Sequence, residues 1–269
     1  MNKQLILDKY KKFDDRILVA RLFDKIEICI KTNKIVCLDF LDPSEIVILK
    51  NVLNSIKIKN YIFFGGTDDY QRAILIVYPE KMEDFFKNGN FDFNSVVKVI
   101  RIVLPQHVRG TYDHKIYLGG IIKLGVKRTK IGDILTDNEG ADIIVCSDIC
   151  EFLLSNLIQL KRFSKAIIEE VELSSVKKVV QKFEELKIIV SSLRLDNVVA
   201  EIAGKSRNKA NEILSQERVF VNYESETKPT KLIKENDTIT IRGKGKFLIG
   251  NILGTTKSGK IILSLKRFL

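Results

Sequence analysis

The stretch from Leu193 to Asn222 constrains the fold of this chain more than any other, because it predicts two short helices followed by a strand. Apolar residues recur every three or four positions in both helices, which gives each helix one face for a core. Gly204 suits the position after a helix, where a positive φ is common, and Ser206 is a favoured N-cap for the second helix. The sequence therefore predicts two packed helices joined by a tight corner. Their apolar positions are Leu195, Val198, Val199, Ile202, Ala203, Ala210, Ile213 and Leu214.

The corner between the helices is basic. It contains Lys205, Ser206, Arg207 and Lys209, and no acidic residue occurs between Ala203 and Asn211. A helix N-terminus offers free N–H groups and the positive end of the helix dipole, both of which attract anions. One interpretation is a compact phosphate site, and the alternative is a solvated basic turn.

The residues after the corner favour the first interpretation. A short strand is predicted at 219–222, the segment 237–242 alternates as a strand does, and a final hairpin follows. This region resembles the S4 RNA-binding domain. The residues that carry the resemblance are Arg194-Leu195-Asp196, Ser206-Arg207 with Ala210, Val219 to Asn222, and Asp237 to Gly243. The resemblance implies a module whose second helix lies against ribosomal or transfer RNA. We expect Arg194, Lys205, Ser206, Arg207 and Lys209 to hold phosphates, and Lys244 and Lys246 to extend that surface.

Charge agrees with a polyanionic partner. The formal net charge is +11, and from residue 193 onward 15 lysines and arginines face 8 aspartates and glutamates. Such an excess is typical of proteins that bind nucleic acid or an anionic surface.

No run of about 18 apolar residues is present, so we expect no membrane span. The N-terminal residues are too charged for a secretory signal, and we expect a cytoplasmic monomer.

The four cysteines do not predict a metal site. Cys29, Cys37, Cys146 and Cys150 contain no CxxC pair, and no histidine near them in sequence would complete a zinc site. Buried thiols in a reducing compartment are the better interpretation. The sequence therefore predicts no metal and no cofactor.

The middle of the chain predicts a ferredoxin-like fold. Between residues 94 and 173 the expected order is strand, helix, two strands, helix, strand, which is a split βαβ unit. RNA-recognition modules use this fold and stack bases on sheet aromatics. The candidate strands here lack that Phe/Tyr pattern, so the fold is predicted without the stacking mode.

These observations together predict an α+β chain with several domains. We expect an N-terminal α/β domain at 1–90, a ferredoxin-like, RRM-like domain at 91–175, a connector at 176–186, and an S4 (αL-type) domain at 187–269. In the first of these, Gly65-Gly66 lies in a loop between two strands and is interpreted as a tight reversal. Arg72, at the end of that loop, is open to two interpretations: a structural role, paired with Asp68 or Asp69, or a contact with RNA.

A second basic cluster lies in the middle domain, at the end of its first helix. It consists of Lys123, Lys127, Arg128 and Lys130. Cations at a helix C-terminus are stabilising for dipole reasons alone, which is the alternative to an RNA contact. With Gly65-Gly66, Arg72 and the C-terminal module, this cluster resembles the bacterial YlmH family over nearly the whole chain. The resemblance implies a factor that binds the large ribosomal subunit and peptidyl-tRNA on obstructed subunits in ribosome quality control, with a further link to cell division.

Catalysis is not expected. Pseudouridine synthases use an aspartate in an Arg-Leu-Asp context, and Asp196 stands in one. However, Asp196 also opens a helix, where a carboxylate is favoured without any chemistry. No GxGxxG turn is present for a methyltransferase. The alternatives to an RNA-binding factor are a division-linked adaptor that binds other proteins and, less favoured, an enzyme that modifies ribosomal RNA.

Overall fold

The computed structural model describes residues 3–177 and 183–268. The chain divides into two compact units, one ending at residue 179 and the other beginning at residue 180. Among the described residues, no helix has both the length and the apolar character needed to cross a lipid bilayer.

The first unit begins with a three-stranded antiparallel sheet that has helices on one face. Its strands lie in the order β1-β3-β2, and two long helices cover one side through a shared apolar core. Asp42 caps α3 by accepting hydrogen bonds from the backbone N–H groups of Ser44 and Glu45, and the Glu45 carboxylate accepts from the Asp42 N–H. This capping box fixes where the third helix starts. The elements are α1 (Lys3–Leu7), α2 (Phe13–Thr32), β1 (Val36–Leu41), α3 (Pro43–Ser55), β2 (Tyr61–Phe64), β3 (Ala73–Val77) and the short α4 (Glu83–Lys87).

The same unit continues as a four-stranded antiparallel sheet. The strand order β5-β6-β4-β7 is that of a ferredoxin-like fold, so the predicted order of elements and the α+β class are confirmed. Two helices pack on one face around Tyr117, Ile121, Leu153 and Leu157. The elements are β4 (Val97–Val103), α5 (His114–Lys123), β5 (Ile131–Thr136), β6 (Gly140–Cys146), α6 (Cys150–Leu157) and β7 (Ile167–Val171).

The other face of this sheet is covered by the N-terminal sheet. Phe40 and Ile76 from the first sheet share a buried cluster with Val99 and Ile144 from the second. Gly132 makes room for this contact, since a Cβ there would lie 2.7 Å from Cε1 of Phe40. RNA-recognition modules stack bases on the face of the sheet that the helices leave free. Here that face is a core, which explains why its strands carry no aromatic stacking pattern.

Arg72 joins the two sheets. Its Nε donates to the carbonyl of Ile131 at 3.1 Å, and its Nη2 donates to the carbonyl of Phe40 at 3.0 Å. The carboxylate of Asp133 accepts from the backbone N–H of Arg72 at 3.2 Å. These contacts favour a structural role for Arg72, although its partners are the carbonyls of Ile131 and Phe40 and not the carboxylates expected from the sequence. In the preceding loop, Gly66 has a φ of 87°, and a Cβ on Gly65 would lie 2.1 Å from the Cβ of Tyr70.

The second unit is a six-stranded antiparallel sheet with two helices on one face. Its strand order is β10-β9-β11-β12-β13-β8, and the helices pack on a core that includes Leu195, Leu214 and Ile239. Gly204 has a φ of 62° at the end of the first helix, as predicted. The elements are β8 (Phe183–Val190), α7 (Leu195–Ala203), α8 (Arg207–Ser215), β9 (Val219–Val221), β10 (Glu224–Ser225), β11 (Thr238–Ile241), β12 (Gly245–Thr255) and β13 (Ile261–Phe268).

The expected connector at 176–186 requires a correction. Its residues 183–186 belong to β8, which pairs with β13 along its whole length. Leu186, Ile188 and Val190 alternate toward the core, so a charged stretch with an apolar period of two forms a strand. Residues 178–182 of the expected connector lie outside the described residues.

Candidate nucleic-acid interface

The N-terminal ends of α7 and α8 meet on one buried carboxylate. Asp196 is 1% exposed, and its Oδ2 accepts from Nη2 of Arg194 and from Nε of Arg207, both at 2.9 Å. Its Oδ1 accepts from Nε of Arg194 at 3.2 Å and from the backbone N–H of Asn197 at 2.9 Å. The two arginines are therefore held side by side at the corner.

The charge on this carboxylate depends on its partners. Burial by itself raises the pKa of Asp196, but the hydrogen bonds from Arg194 and Arg207 outweigh it, and the pKa lies below its ordinary value. Asp196 is thus ionised at neutral pH. The Arg207 side chain remains 51% exposed and that of Arg194 35% exposed. Asp196 therefore fixes the position of each guanidinium while part of each arginine side chain stays accessible to solvent.

Ser206 has a structural role at the same corner. Its Oγ accepts from the backbone N–H of Lys209 at 3.4 Å, which is the N-cap geometry predicted for this residue. Lys209 forms an ion pair with Glu212 one turn along α8. Lys205, Arg207 and Lys209 are all exposed. The cap sets the direction of α8 and thereby the spacing of these three cations.

A groove lies beside the corner and collects cations from separate parts of the chain. Its volume is about 350 Å³. Three predicted residues line it, Lys205, Lys209 and Lys244, together with Arg218 and Arg242. The other lining residues are Ala203, Glu212, Ile213, Gln216, Ile241 and Gly243. Five cations thus face one concavity that contains a single carboxylate, a strongly electropositive arrangement.

Sequence reasoning did not identify Arg218 and Arg242. They lie 24 positions apart, yet the N–H of Arg242 donates to the carbonyl of Arg218 at 2.9 Å. Nη2 of Arg218 returns a bond to the carbonyl of Arg242 at 3.0 Å. Pairing of β9 with β11 brings them together. The sequence did contain a signal for this contact: Arg218 directly precedes β9 and Arg242 directly follows β11. In antiparallel neighbours the start of one strand lies beside the end of the other.

Lys246 is not part of the groove. It lies on the sheet face opposite the helices, where its Nζ is 4.3 Å from the ring centroid of Phe268 and 4.9 Å from that of Tyr223. The Nζ also donates to the Tyr223 hydroxyl at 2.7 Å. Strand alternation explains the difference: Phe247 points into the core, so its neighbour Lys246 points away from the helices.

The second basic cluster requires a correction for two of its four residues. Arg128 is half-buried and donates to the carbonyls of Ile131 and Gly132. Burial, with a smaller contribution from nearby Arg72, lowers the pKa of Arg128 to about 10. Lys130 is 25% exposed and forms ion pairs with two carboxylates, Asp39 at 2.9 Å and Asp148 at 2.6 Å. Both side chains hold the unit together. The remaining two, Lys123 and Lys127, are exposed.

No metal centre is found in the described parts of the chain, 3–177 and 183–268, where no cluster of three or more His, Cys, Asp or Glu side chains has ligand geometry. The four cysteines are free thiols.

Comparison with known families defines the class of the chain. Residues 89–175 match the family described as a putative RNA-binding domain in YlmH, and residues 193–239 match the S4 domain. The first match covers the ferredoxin-like region, and the second covers α7, α8 and the strands to β11. The chain is therefore an RNA-binding protein of the S4-domain class.

One relative is similar to the chain over nearly its whole length. The chain is 29% identical over 265 residues, 97% of its own length and 98% of the relative, to the ribosome-associated protein quality control protein P2 of Bacillus subtilis (strain 168). With the two domain matches in the same order, the resemblance to the YlmH family seen in the sequence is confirmed.

A solved structure shares the fold. The cell division protein ylmH from Streptococcus pneumoniae aligns with a TM-score of 0.50 and 17% identity. The alignment covers 62% of this chain and 98% of that one. At this level of identity the likeness concerns architecture alone.

Proposed function

We propose that this protein is a non-catalytic RNA-binding factor that binds the large ribosomal subunit, tRNA or both through its C-terminal S4 domain. Its role is quality control of subunits obstructed by peptidyl-tRNA, in the cytoplasm. The observation that carries the proposal is the groove in which Lys205, Lys209, Arg218, Arg242 and Lys244 converge. The Bacillus subtilis relative, named as a ribosome-associated quality control protein, supports the choice of the ribosome as partner.

The groove and the adjacent arginine pair suit a folded RNA backbone. Arginine donates two parallel hydrogen bonds to a phosphate, and lysine supplies a mobile point charge. Because Asp196 holds Arg194 and Arg207 in place before RNA arrives, less side-chain freedom is lost on binding. The corner would therefore fix the register of the RNA, while the groove supplies most of the charge.

The state of Asp196 supports a non-catalytic role. A carboxylate that attacks a substrate needs at least one oxygen directed at it. Both oxygens of Asp196 accept hydrogen bonds from within the protein, and the residue is buried. The Arg-Leu-Asp sequence here builds a structural anchor for the arginines.

Co-sedimentation of the full chain with purified large subunits tests the proposal. The variant Lys205→Gln with Lys209→Gln removes two groove cations. Each phosphate contact contributes about 0.7 to 0.9 to the slope of log affinity against log salt, so we expect weaker binding and a flatter slope. Lys257→Gln with Lys260→Gln is the matched control, since it removes equal charge from exposed positions in the β12–β13 turn.

Unchanged binding in the groove variant, with a normal unfolding curve, would rule out the groove as the contact surface. The adaptor alternative makes a different prediction. If the protein formed a nuclease-resistant complex with another protein and did not sediment with large subunits, the adaptor function would be favoured over RNA binding. Mass mapping of ribosomal RNA after gene deletion would reveal an altered nucleoside if the chain were a modifying enzyme.

A further inference from the structure

The outer face of the six-stranded sheet, opposite α7 and α8, carries a row of aromatic side chains. Phe220 pairs with Thr240, and Thr240 pairs with Lys246. Phe247 pairs with Arg267, so in this antiparallel register the next residue, Phe268, lies beside Lys246. Phe268 in turn pairs with Phe183. One continuous line across β9, β11, β12, β13 and β8 is thus formed by Phe220, Thr240, Lys246, Phe268 and Phe183. At about 4.8 Å per strand the line is about 19 Å long.

Cations accompany each aromatic ring in this row. Arg242 lies 5.0 Å from the ring centroid of Phe220, and Lys246 lies 4.3 Å from that of Phe268. Lys266 lies 5.9 Å from the ring of Phe183, which is 39% exposed. Glu185, opposite Lys266 in the register, is an acidic residue on the same face. Aromatic rings interleaved with an excess of cations are the composition of a base-stacking platform.

We propose that this outer face, the aromatic sheet face, binds a segment of single-stranded RNA. Bases stack on Phe220 and Phe183, and Arg242, Lys246 and Lys266 pair with the phosphates between them. The inference rests on the proposed function, because it adds a second RNA contact to the groove. A sheet row of this length accommodates two or three bases, the number that four-stranded RNA-binding sheets stack.

Arg242 connects the two surfaces. It lines the groove and also lies over the Phe220 ring. A structured RNA element gripped in the groove can therefore continue as an unpaired strand onto the aromatic sheet face. The ferredoxin-like sheet, whose corresponding face is buried, does not offer such a platform.

Fluorescence anisotropy with a labelled, unstructured 12-nucleotide oligouridylate tests the inference on the full chain. Phe183→Leu with Phe220→Leu keeps apolar bulk and removes the rings. We expect a loss of at least about fivefold in affinity for each base that no longer stacks. The salt slope should stay unchanged, because no phosphate contact is removed. Phe220→Trp should tighten binding, since a larger ring stacks more strongly on a base.

Phe85→Leu is the matched control. Phe85 is also 39% exposed and also makes an edge-to-face contact with a neighbouring phenylalanine, but it lies in the first unit. Unfolding curves establish that the variants are folded. Equal affinity of the double leucine variant and the wild type would overturn the inference. A wild-type chain that binds large subunits but not the oligonucleotide would overturn it and leave the proposed function standing, whereas binding to neither would refute both.

Discussion

Nε of Arg207 lies 2.9 Å from Oδ2 of Asp196, although the two residues are 11 positions apart and belong to different helices. The contact places the positive N-terminal ends of α7 and α8 on the same buried carboxylate. Together with the contact from Arg194, it compensates the charge of Asp196 and leaves both arginine side chains partly exposed to solvent. One aspartate therefore both stabilises the helix pair and pre-positions the cations proposed to hold RNA.

Asp196→Asn should destabilise the second unit. The amide loses the charge that both guanidinium groups require, and hydrogen bonds to charged groups contribute about 1.5 to 3 kcal/mol. We expect a loss of about 2 kcal/mol in the free energy of unfolding, measured by urea denaturation. Glu201→Gln, at an exposed position on the same helix, should change it by less than about 0.5 kcal/mol. Equal stability of the Asn variant and the wild type would show that the anchor contributes nothing.

The cost of Asp196→Asn should also depend on pH. The folded-state pKa of Asp196 lies below the unfolded value of about 3.9, so the carboxylate contributes its full stabilisation above that value. The contribution is lost as the pH falls through the lowered folded-state pKa. The stability difference between wild type and variant should be constant from about pH 5 to 7 and shrink below about pH 4. A difference that grew on acidification would contradict this assignment.

Arg72→Gln should separate the two interpretations of Arg72. Its side chain donates to the carbonyls of Ile131 and Phe40, so truncation leaves these acceptors without their donor. We expect a loss of about 2 kcal/mol in the stability of the first unit. Sedimentation with large subunits at temperatures where the variant is folded should be unchanged. Normal stability with weakened RNA binding would instead make Arg72 an RNA contact.

Two neighbouring glycines of α5 should respond in opposite directions to alanine. A Cβ on Gly120 would lie 2.7 Å from Cε2 of the buried Phe163, whereas the nearest atom to a Cβ on Gly119 is Nη1 of Arg162 at 3.9 Å. Gly120→Ala should cost about 1 to 3 kcal/mol through overpacking. Gly119→Ala should stabilise by up to about 1 kcal/mol because alanine favours helix. Thermal unfolding measures the stability change of each variant. A stabilising effect of Gly120→Ala would show that Phe163 can move aside.

The local elements were predictable because their causes are local. The period of apolar residues, the cap at Ser206 and the glycine at 204 act over a few residues, and each element they predict is present. The order of elements in the middle domain led to the ferredoxin-like fold. The strand at 183–190 was missed since its apolar alternation is masked by three charged residues and becomes visible only through its pairing with β13.

Side-chain roles were harder to predict, because the sequence gives the charge of a lysine or arginine but not the groups that surround it in the folded protein. Lys130 and Arg128 looked like RNA contacts until the fold placed Asp39 and two carbonyls beside them. Lys246 looked like a partner of Lys244, but Lys244 lies in the turn before β12, whereas strand alternation directs Lys246 to the sheet face opposite the helices.

The sequence by itself determined the helix pair, its basic corner and the family resemblance, since these depend on spacing along the chain. Only the tertiary structure decided which cations share a surface. Strand pairing brought Arg218 beside Arg242 and closed the groove with Lys205, Lys209 and Lys244. Such a site depends on contacts between residues distant in sequence, and spacing along the chain does not reveal them.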